Sequence, residues 1–195
     1  MNRRGLLLII GSLLLPLGCG DDPTGLEPSE LCSDHSDAAV ATFEDANLRA
    51  AVRAALSLGL QEQLTCARVS ELTQLDARWS EITSLVGIQN LMSLTLLRLG
   101  SNFSISDIAA LSGLTSLTEL DLTSNSISDI GALSGLTSLT ILDLTNNPNL
   151  SNIQPLLDNT GLGAGDQVLL RSTSVSCTDV AALQAKGVSV GSSCP

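Results

Sequence analysis

The sequence predicts an α/β solenoid, in which short parallel strands form a sheet on the concave face and a helical unit covers the amino-terminal end. The main observation is a leucine-rich segment that recurs every 22–23 residues through the middle of the chain. The second is composition: 44% of the 195 residues are hydrophobic but only 2% are aromatic. A core built from aliphatic side chains in a regular spacing indicates one packing environment used many times.

Charge and histidine content exclude several functions. The formal net charge is −11, from 20 acidic and 9 basic residues. This balance opposes nucleic-acid binding, because phosphates require clustered lysine and arginine. The single histidine, His35, disfavours hydrolytic triads and most zinc sites. We therefore expect no nucleic-acid partner, no metal, no cofactor and no enzymatic activity.

The amino terminus has the features of an export signal. Arg3 and Arg4 precede an apolar stretch, residues 6–17, that is too short to span a bilayer. The stretch leads to Cys19 in a segment that resembles the lipobox of bacterial lipoproteins, although Pro16 departs from the usual pattern. The resemblance implies that residues 1–18 are removed and that Cys19 carries a lipid anchor in the cell envelope. The outer membrane or cell surface is favoured over the inner membrane. The alternative is an ordinary secretion signal with an incidental cysteine.

Residues 19–42 are expected to form a flexible acidic tether. No lysine or arginine occurs between residues 21 and 45, and prolines, glycine and serines interrupt the segment. Such a composition buries too little apolar surface to offset the entropy of ordering the chain. The acidic residues between positions 21 and 45 are Asp21, Asp22, Glu27, Glu30, Asp34, Asp37, Glu44 and Asp45.

Residues 43–71 are predicted to form a helical unit at the amino-terminal end of the repeats. Between Asp45 and Leu56, apolar residues at helical spacing lie on one face and arginines on the other. A second short helix is predicted from Thr65 to Ser70. A solenoid needs such a unit because its terminal repeat would otherwise expose core residues.

Residues 72–164 contain the repeats. The clearest copies begin at Leu94, Leu117 and Leu139, and each reads L-x-x-L-x-L-x-x-N. An imperfect copy begins at Leu72. Residues 165–195 contain a degenerate last copy and a carboxy-terminal cap. Alternation within each copy points the leucines inward and the intervening residues outward, as a strand requires.

This pattern resembles the leucine-rich repeats of internalin-like proteins over residues 43–190. The resemblance implies a solenoid that recognises proteins or peptides through its concave face without catalysis. Asparagines at the turn that follows each strand can bond backbone groups that are otherwise buried without partners. This asparagine ladder consists of Asn102, Asn125 and Asn147.

Four cysteines remain if Cys19 is lipidated. An even number in an exported chain indicates disulfides, and three pairings are possible. Sequence proximity favours Cys32 with Cys66 and Cys177 with Cys194, because the two ends of the solenoid lie several repeats apart.

The outward positions of the strands form the candidate partner-binding surface. They combine carboxylates, arginines, exposed aliphatics and one tryptophan, a mixture typical of contact surfaces. The candidate residues are Asp76, Arg78, Trp79, Leu96, Arg98, Glu119, Asp121, Ile141, Asp143, Leu169 and Arg171.

Three functions are compatible with this surface. The favoured one is a lipid-anchored, monomeric module for protein–protein or cell-surface recognition. The alternative is a passive envelope scaffold or spacer without a specific ligand. The weakest is a carboxylate-based hydrolase that uses paired acids such as Asp121 and Asp143.

Overall fold

The computed structural model describes residues 25–59 and 61–194. The predicted signal peptide and the predicted lipid-anchored Cys19 lie outside the described residues. Within the described ranges, none of the helices combines the length and hydropathy needed to cross a bilayer.

The core of the fold is a six-stranded parallel sheet in which sequence order equals spatial order. Its strands are β1 (Gln74–Asp76), β2 (Leu96–Arg98), β3 (Glu119–Asp121), β4 (Ile141–Asp143), β5 (Gln167–Leu169) and β6 (Ser189–Gly191). The register stacks the central residue of each strand on the next, giving the column Leu75, Leu97, Leu120, Leu142, Val168 and Val190. The predicted parallel solenoid is confirmed, because this register follows from one repeated alternation of inward and outward residues.

The return path on the convex side uses short helical turns. Three are single 3-10 turns, at Ile88–Asn90, Ala109–Leu111 and Gly131–Leu133, and the fourth is helix α3, Gln154–Asp158. Asp107 accepts a hydrogen bond from the amide of Ala109 at 2.8 Å, and Asp129 accepts one from Gly131 at the same distance. These carboxylates therefore satisfy amides that begin a helical turn and have no partner within it.

Asn102 joins neighbouring coils through its side-chain amide. Its Oδ1 accepts hydrogen bonds from the backbone amides of Ser80 and Ile82, at 3.0 and 3.1 Å. Its Nδ2 donates to the carbonyls of Ala77 and Leu99, at 2.9 and 2.8 Å. The side chain is 1% exposed, so these four bonds satisfy backbone groups that water does not reach.

A similar arrangement recurs at Asn147 and Asn125, with fewer hydrogen bonds accepted by Oδ1. Asn147 Oδ1 accepts from the amide of Ile127 at 3.1 Å, and its Nδ2 donates to the carbonyls of Leu122 and Leu144 at 3.0 Å. Asn125 keeps the donor half of this pattern. Its buried Oδ1, however, accepts no hydrogen bond from the described residues.

Two helices precede β1. Helix α1 spans Ala46–Ala55 and packs Leu48 and Val52 into the core. Helix α2 spans Cys66–Ser70. Thr65 is its N-cap, and the Thr65 side chain accepts a hydrogen bond from the backbone amide of Arg68. Both helices begin at residues whose side-chain oxygens suit an N-cap, which is why the sequence locates their first turns.

The segment predicted as a tether is ordered over its described part, residues 25–42. The amide of Leu26 donates to the carbonyl of Val40 at 2.8 Å, and the amide of Ala41 donates to the carbonyl of Leu64 at 2.8 Å. Leu26 is only 9% exposed and belongs to the core. The tether expectation is therefore wrong for residues 25–42, because contacts with the helical unit compensate for the acidic, proline-containing composition.

Two disulfides fasten the two ends of the solenoid. Cys32 bonds Cys66 with their Cα atoms 5.3 Å apart, and Cys177 bonds Cys194 at 5.6 Å. The first bridge links the segment 25–42 to helix α2. It gives a covalent reason why this acidic segment does not behave as a free tether.

The carboxy-terminal end is closed by helix α4, Cys177–Ala185. The chain's single lysine, Lys186, follows this helix and reaches back to α3. Its ammonium donates to the carbonyls of Leu156, Leu157 and Asn159, at 3.1, 2.8 and 2.6 Å. Lys186 thereby satisfies carbonyls at the end of α3 that the helix leaves unpaired.

Candidate functional site

The open face of the sheet carries two rows of side chains. The register places Gln74, Leu96, Glu119, Ile141, Gln167 and Ser189 in the first row. The second row contains Asp76, Arg98, Asp121, Asp143, Leu169 and Gly191. Each residue lies next to its equivalent in the neighbouring coil, so the sheet brings the predicted strand residues together on one surface.

At the β1 end, Arg78 folds back onto Asp76. The guanidinium Nε and Nη2 atoms donate to the two carboxylate oxygens at 2.9 and 2.6 Å. This hydrogen bond from Arg78 is the main reason that the pKa of the Asp76 carboxyl lies below its ordinary value. The same contact raises the pKa of the Arg78 guanidinium. Both side chains are about half exposed, so the pair remains accessible to solvent.

In the middle of the sheet, Arg98 binds Glu119 on the next strand. Nε and Nη2 of Arg98 both donate to Oε1 of Glu119, at 3.1 and 2.7 Å. The side chains are 35% and 29% exposed, so the pair is partly shielded from water. The negative charge of Glu119 is therefore neutralised by Arg98 and is not free to bind a partner.

Asp121 and Asp143 are register neighbours on β3 and β4. Oδ1 of Asp121 accepts a hydrogen bond from the amide of Thr123 at 2.9 Å, and Oδ1 of Asp143 accepts one from Thr145 at 2.8 Å. Each carboxylate is thus held by the turn that follows its strand. The structure places these two acids side by side, as the repeat predicts.

The aliphatic residues on this face differ in exposure. Ile141 is 41% exposed, whereas Leu96 and Leu169 are half-buried. Leu169 lies over Gly191, since a Cβ atom at that glycine would be 2.6 Å from Cδ2 of Leu169. Of the three aliphatics expected to be exposed, only Ile141 is so, and Leu96 and Leu169 are only partly exposed.

Trp79 lies beyond the end of β1 and is 71% exposed. It packs against Phe103 of the next coil, with ring centroids 6.0 Å apart and an interplanar angle of 72°. Phe103 is itself 62% exposed. The pair forms an aromatic ledge, defined here as Trp79 and Phe103, at the edge of the concave face.

Sequence reasoning included Trp79 but missed Phe103 and Glu81, which line the same depression. A signal for Phe103 was present: the copy that begins at Leu94 is one residue longer than the copy that begins at Leu117. The extra residue falls after Asn102, at the turn that carries Phe103. Nothing in the pattern of leucines indicates Glu81.

Arg171 is exposed beside β5 and makes no ion pair within the described part of the chain. No group of three or more metal-ligating side chains is found among the described residues either. The chemistry that this face offers is thus charge, hydrogen bonding and apolar contact.

Comparison with known proteins agrees with this geometry. A family model described as Leucine Rich repeats (2 copies) matches residues 115–158. The matched residues include β3 and β4. The chain is a leucine-rich-repeat protein, and this fold is typical of protein–protein recognition.

Among solved structures, the chain is similar to an internalin, InlF, from Listeria monocytogenes, at 30% identity and a TM-score of 0.58. The match covers 72% of this chain and 47% of the internalin, so the chain spans about half that protein's length. The functional domain of InlJ from the same organism matches at 23% identity and a TM-score of 0.50. That match covers 72% of this chain and 39% of InlJ, and it shows the shared fold alone. No curated protein matches the chain.

Proposed function

We propose that the chain is a non-enzymatic recognition module that binds a protein or peptide through its concave sheet. The observation that carries the proposal is the group formed by Asp121, Ile141 and Asp143: the two carboxylates are register neighbours, and Ile141, two residues before Asp143 on β4, adds an exposed apolar side chain. Hydrogen bonds from the following turns hold both carboxylates in place. A preformed surface of this kind loses little conformational entropy on binding.

The proposal includes export and a lipid anchor on Cys19. Two disulfides support export, because such bonds persist in oxidising compartments and are rare in the cytosol. Intact-mass measurement on protein purified from the membranes of its native bacterium tests the anchor. We expect a chain that begins at Cys19 and carries acyl chains, and a Cys19→Ser variant that leaves the membrane fraction. A chain that retains residues 1–18 or carries no lipid contradicts this part of the proposal.

Site-specific photocrosslinking tests the binding surface. A benzoylphenylalanine at Ile141 is expected to crosslink one protein, and the matched probe at Ser134, on the convex side, is not. The double variant Asp121→Arg/Asp143→Arg should abolish the crosslink from Ile141, since it reverses the charges of two carboxylates on the same face of the sheet. Equal crosslinking from both probe positions, or capture that the double variant leaves unchanged, contradicts a concave binding site.

A passive scaffold is the second candidate, and one observation favours it. Four of the charged groups on this face neutralise one another in the pairs Asp76–Arg78 and Arg98–Glu119. A surface whose charges are already paired has fewer charged groups that are free to bind a partner. The absence of any crosslink from Ile141 in intact cells would favour this scaffold.

A further inference from the structure

The turns after strands β1 to β5 each have a residue in the left-handed backbone region at the same place, three residues after the strand ends, and the turn after β1 has a second one at Glu81. The equivalent positions are Trp79, Ser101, Ser124, Asn146 and Ser172, with φ between 55° and 63°. Small polar residues tolerate this conformation, whereas a bulky side chain there is strained. The only tryptophan of the chain therefore lies at a position where its backbone conformation is energetically unfavourable. At 71% exposure, that ring recovers little of this energy by burial.

A second irregularity lies directly beside it. Two residues separate Asn102 from Ile105, as two separate Asn147 from Leu150, whereas one residue separates Asn125 from Ile127. In the longer turn the amide of Ile105 donates locally to the carbonyl of Asn102 at 2.9 Å. The inserted residue gives the chain room to project Phe103 into solvent.

The insertion removes a hydrogen bond from the asparagine ladder. In the flanking coils the amides equivalent to that of Ile105 belong to Ile82 and Ile127, and each donates to an asparagine Oδ1. With Ile105 engaged locally, Oδ1 of Asn125 is buried without a hydrogen-bond partner among the described residues. A buried acceptor without a partner destabilises the fold.

Two unfavourable departures from the repeat therefore meet at one place, and each contributes a ring to the aromatic ledge. The chain has one tryptophan, two phenylalanines and no tyrosine, so two of its three aromatic side chains lie here in solvent. Features that destabilise a fold and recur at one surface position indicate a binding site.

The depression beside the ledge measures about 460 Å³ and includes Glu81. The Glu81 carboxylate makes no ion pair with another described residue. Two other polar side chains in the lining are engaged: the Asn102 amide makes four backbone bonds, and the Thr83 hydroxyl donates to Asp45. The site thus offers two aromatic faces and one negative charge, beside the hydroxyls of Ser101 and Ser104.

We propose that the aromatic ledge and Glu81 bind the cationic side chain of an arginine or lysine presented by a basic protein partner. Cations are attracted to aromatic faces, most strongly to tryptophan, and a carboxylate adds direct charge pairing. The chain's net charge of −11 also attracts basic partners at long range. This inference rests on the proposed function only in that the cation belongs to a protein. A peptide titration tests the subsite without that partner.

Trp79 is the sole tryptophan of a chain without tyrosine, so the intrinsic fluorescence of the protein comes from this site and can be used to measure binding there. The folded, disulfide-bonded protein is titrated with acetyl-(Gly-Arg)3-amide, with its neutral citrulline counterpart and with an N-acetylglucosamine tetramer. We expect a saturable change in emission with the arginine peptide alone, which weakens as salt is added. No change with arginine, or an equal change with citrulline or with the sugar, overturns the proposal.

A positive titration together with failed crosslinking at Ile141 overturns the concave-face proposal instead.

Variants separate binding from structure. Glu81→Gln should weaken the arginine peptide roughly two- to fivefold, whereas the matched exposed variant Glu71→Gln should not. Trp79→Asn should abolish binding of a labelled peptide, measured by anisotropy, without lowering the melting temperature, because it relieves the left-handed strain. Trp79→Phe should retain part of the binding. A Trp79→Asn variant that melts earlier and still binds the peptide shows a structural role and overturns the proposal.

Discussion

At the scale of the residue, position within the repeat decides what a side chain contributes. Leu120 is fully buried between identical neighbours, whereas the adjacent Glu119 faces outward and binds Arg98. The asparagine that follows the strand is equally buried but acts through hydrogen bonds. A change in the leucine column therefore has a predictable size, because that environment recurs from coil to coil.

The inward and outward positions are expected to differ strongly in stability. Leu120→Ala should lower the free energy of unfolding by about 2–5 kcal/mol, because it opens a cavity in a column of leucines. Glu119→Ala removes one partly exposed ion pair and should cost about 0.2–1 kcal/mol. Urea unfolding of both variants measures the difference. Equal losses would mean that the leucine column does not form the core.

The asparagine ladder should not be uniform. Asn102→Ala removes a side chain that both donates and accepts, and it leaves the amides of Ser80 and Ile82 without partners. Asn125→Ala removes only donor bonds, because its Oδ1 has no partner to lose. We expect Asn102→Ala to be the more destabilising by about 1–3 kcal/mol. Thermal melts of the two variants compare them directly, and the reverse order would contradict the bonding described for Asn125.

At the scale of the element, none of the strands or helices within residues 25–59 and 61–194 is long enough to be stable alone. Each strand has three residues, and α2 and α3 have five. Isolated helices of this length are unstable in water. They form here because distant residues complete them: Asp45 joins α1 to the first coil through Thr83, and Lys186 completes α3.

Asp45 should make stability depend on pH. Its partial burial raises the pKa, but hydrogen bonds from Thr83, Leu48 and Asn47 outweigh this effect and hold the pKa below its ordinary value. A carboxyl whose pKa is depressed in the folded state stabilises the fold above the ordinary pKa of about 4 and loses this contribution as pH falls further. Asp45→Asn should therefore be less stable than the parent protein at pH 7. The two should converge as pH falls through the depressed pKa.

Unfolding by urea across pH 2–7 measures this convergence. The control, Asp37→Asn, removes an exposed carboxyl that makes no side-chain hydrogen bond within residues 25–59 and 61–194. A difference between the parent protein and Asp45→Asn that stays constant over the whole range would exclude a role for the charge of Asp45.

Lys186 should be important for the carboxy-terminal end. Lys186→Met keeps the aliphatic chain but removes the donor to three carbonyls, so we expect a loss of about 1–3 kcal/mol. Arg171→Met, at an exposed cation, is the matched control and should change stability by less than about 0.5 kcal/mol. Calorimetric melting of both variants decides the point, and similar shifts would contradict a helix-completing role for Lys186.

At the scale of the whole molecule, each coil is stabilised by packing against its neighbours in one continuous core. Such a stack is vulnerable at its ends, where a coil has a neighbour on one side only. Both ends carry a disulfide, and the amino-terminal bridge closes the longer loop, with a sequence separation of 34 against 17. The ordered segment 25–42 belongs to this amino-terminal closure.

Removing the two bridges should have unequal results. Cys32→Ser/Cys66→Ser and Cys177→Ser/Cys194→Ser should each cost about 2–4 kcal/mol, and the longer loop should give the larger loss by about 0.6 kcal/mol. The first double variant should also allow a protease to cut within residues 25–42, because that segment is released from α2. Limited proteolysis followed by mass spectrometry checks this. Protection equal to that of the parent protein would contradict anchoring by the bridge.

Much of the fold could be predicted because the repeat encodes it locally. The spacing from Leu97 to Leu120 to Leu142 gives the strand positions, the register and the inward face. Thr65 and Asp45 locate helix starts through their capping chemistry. The rows of the candidate surface follow directly, since outward residues are the complement of the leucines.

The amino-acid sequence is sufficient to predict the solenoid, its strands and the residues that could face a partner, because these depend on the spacing of the repeat. The contacts that those residues make are established only when the chain is folded. Arg98 neutralises Glu119, the acidic segment 25–42 is ordered, and Phe103 meets Trp79 to form a ledge. These contacts join residues that do not occupy equivalent positions in the repeat. Their energies depend on distances that are set only when the coils stack.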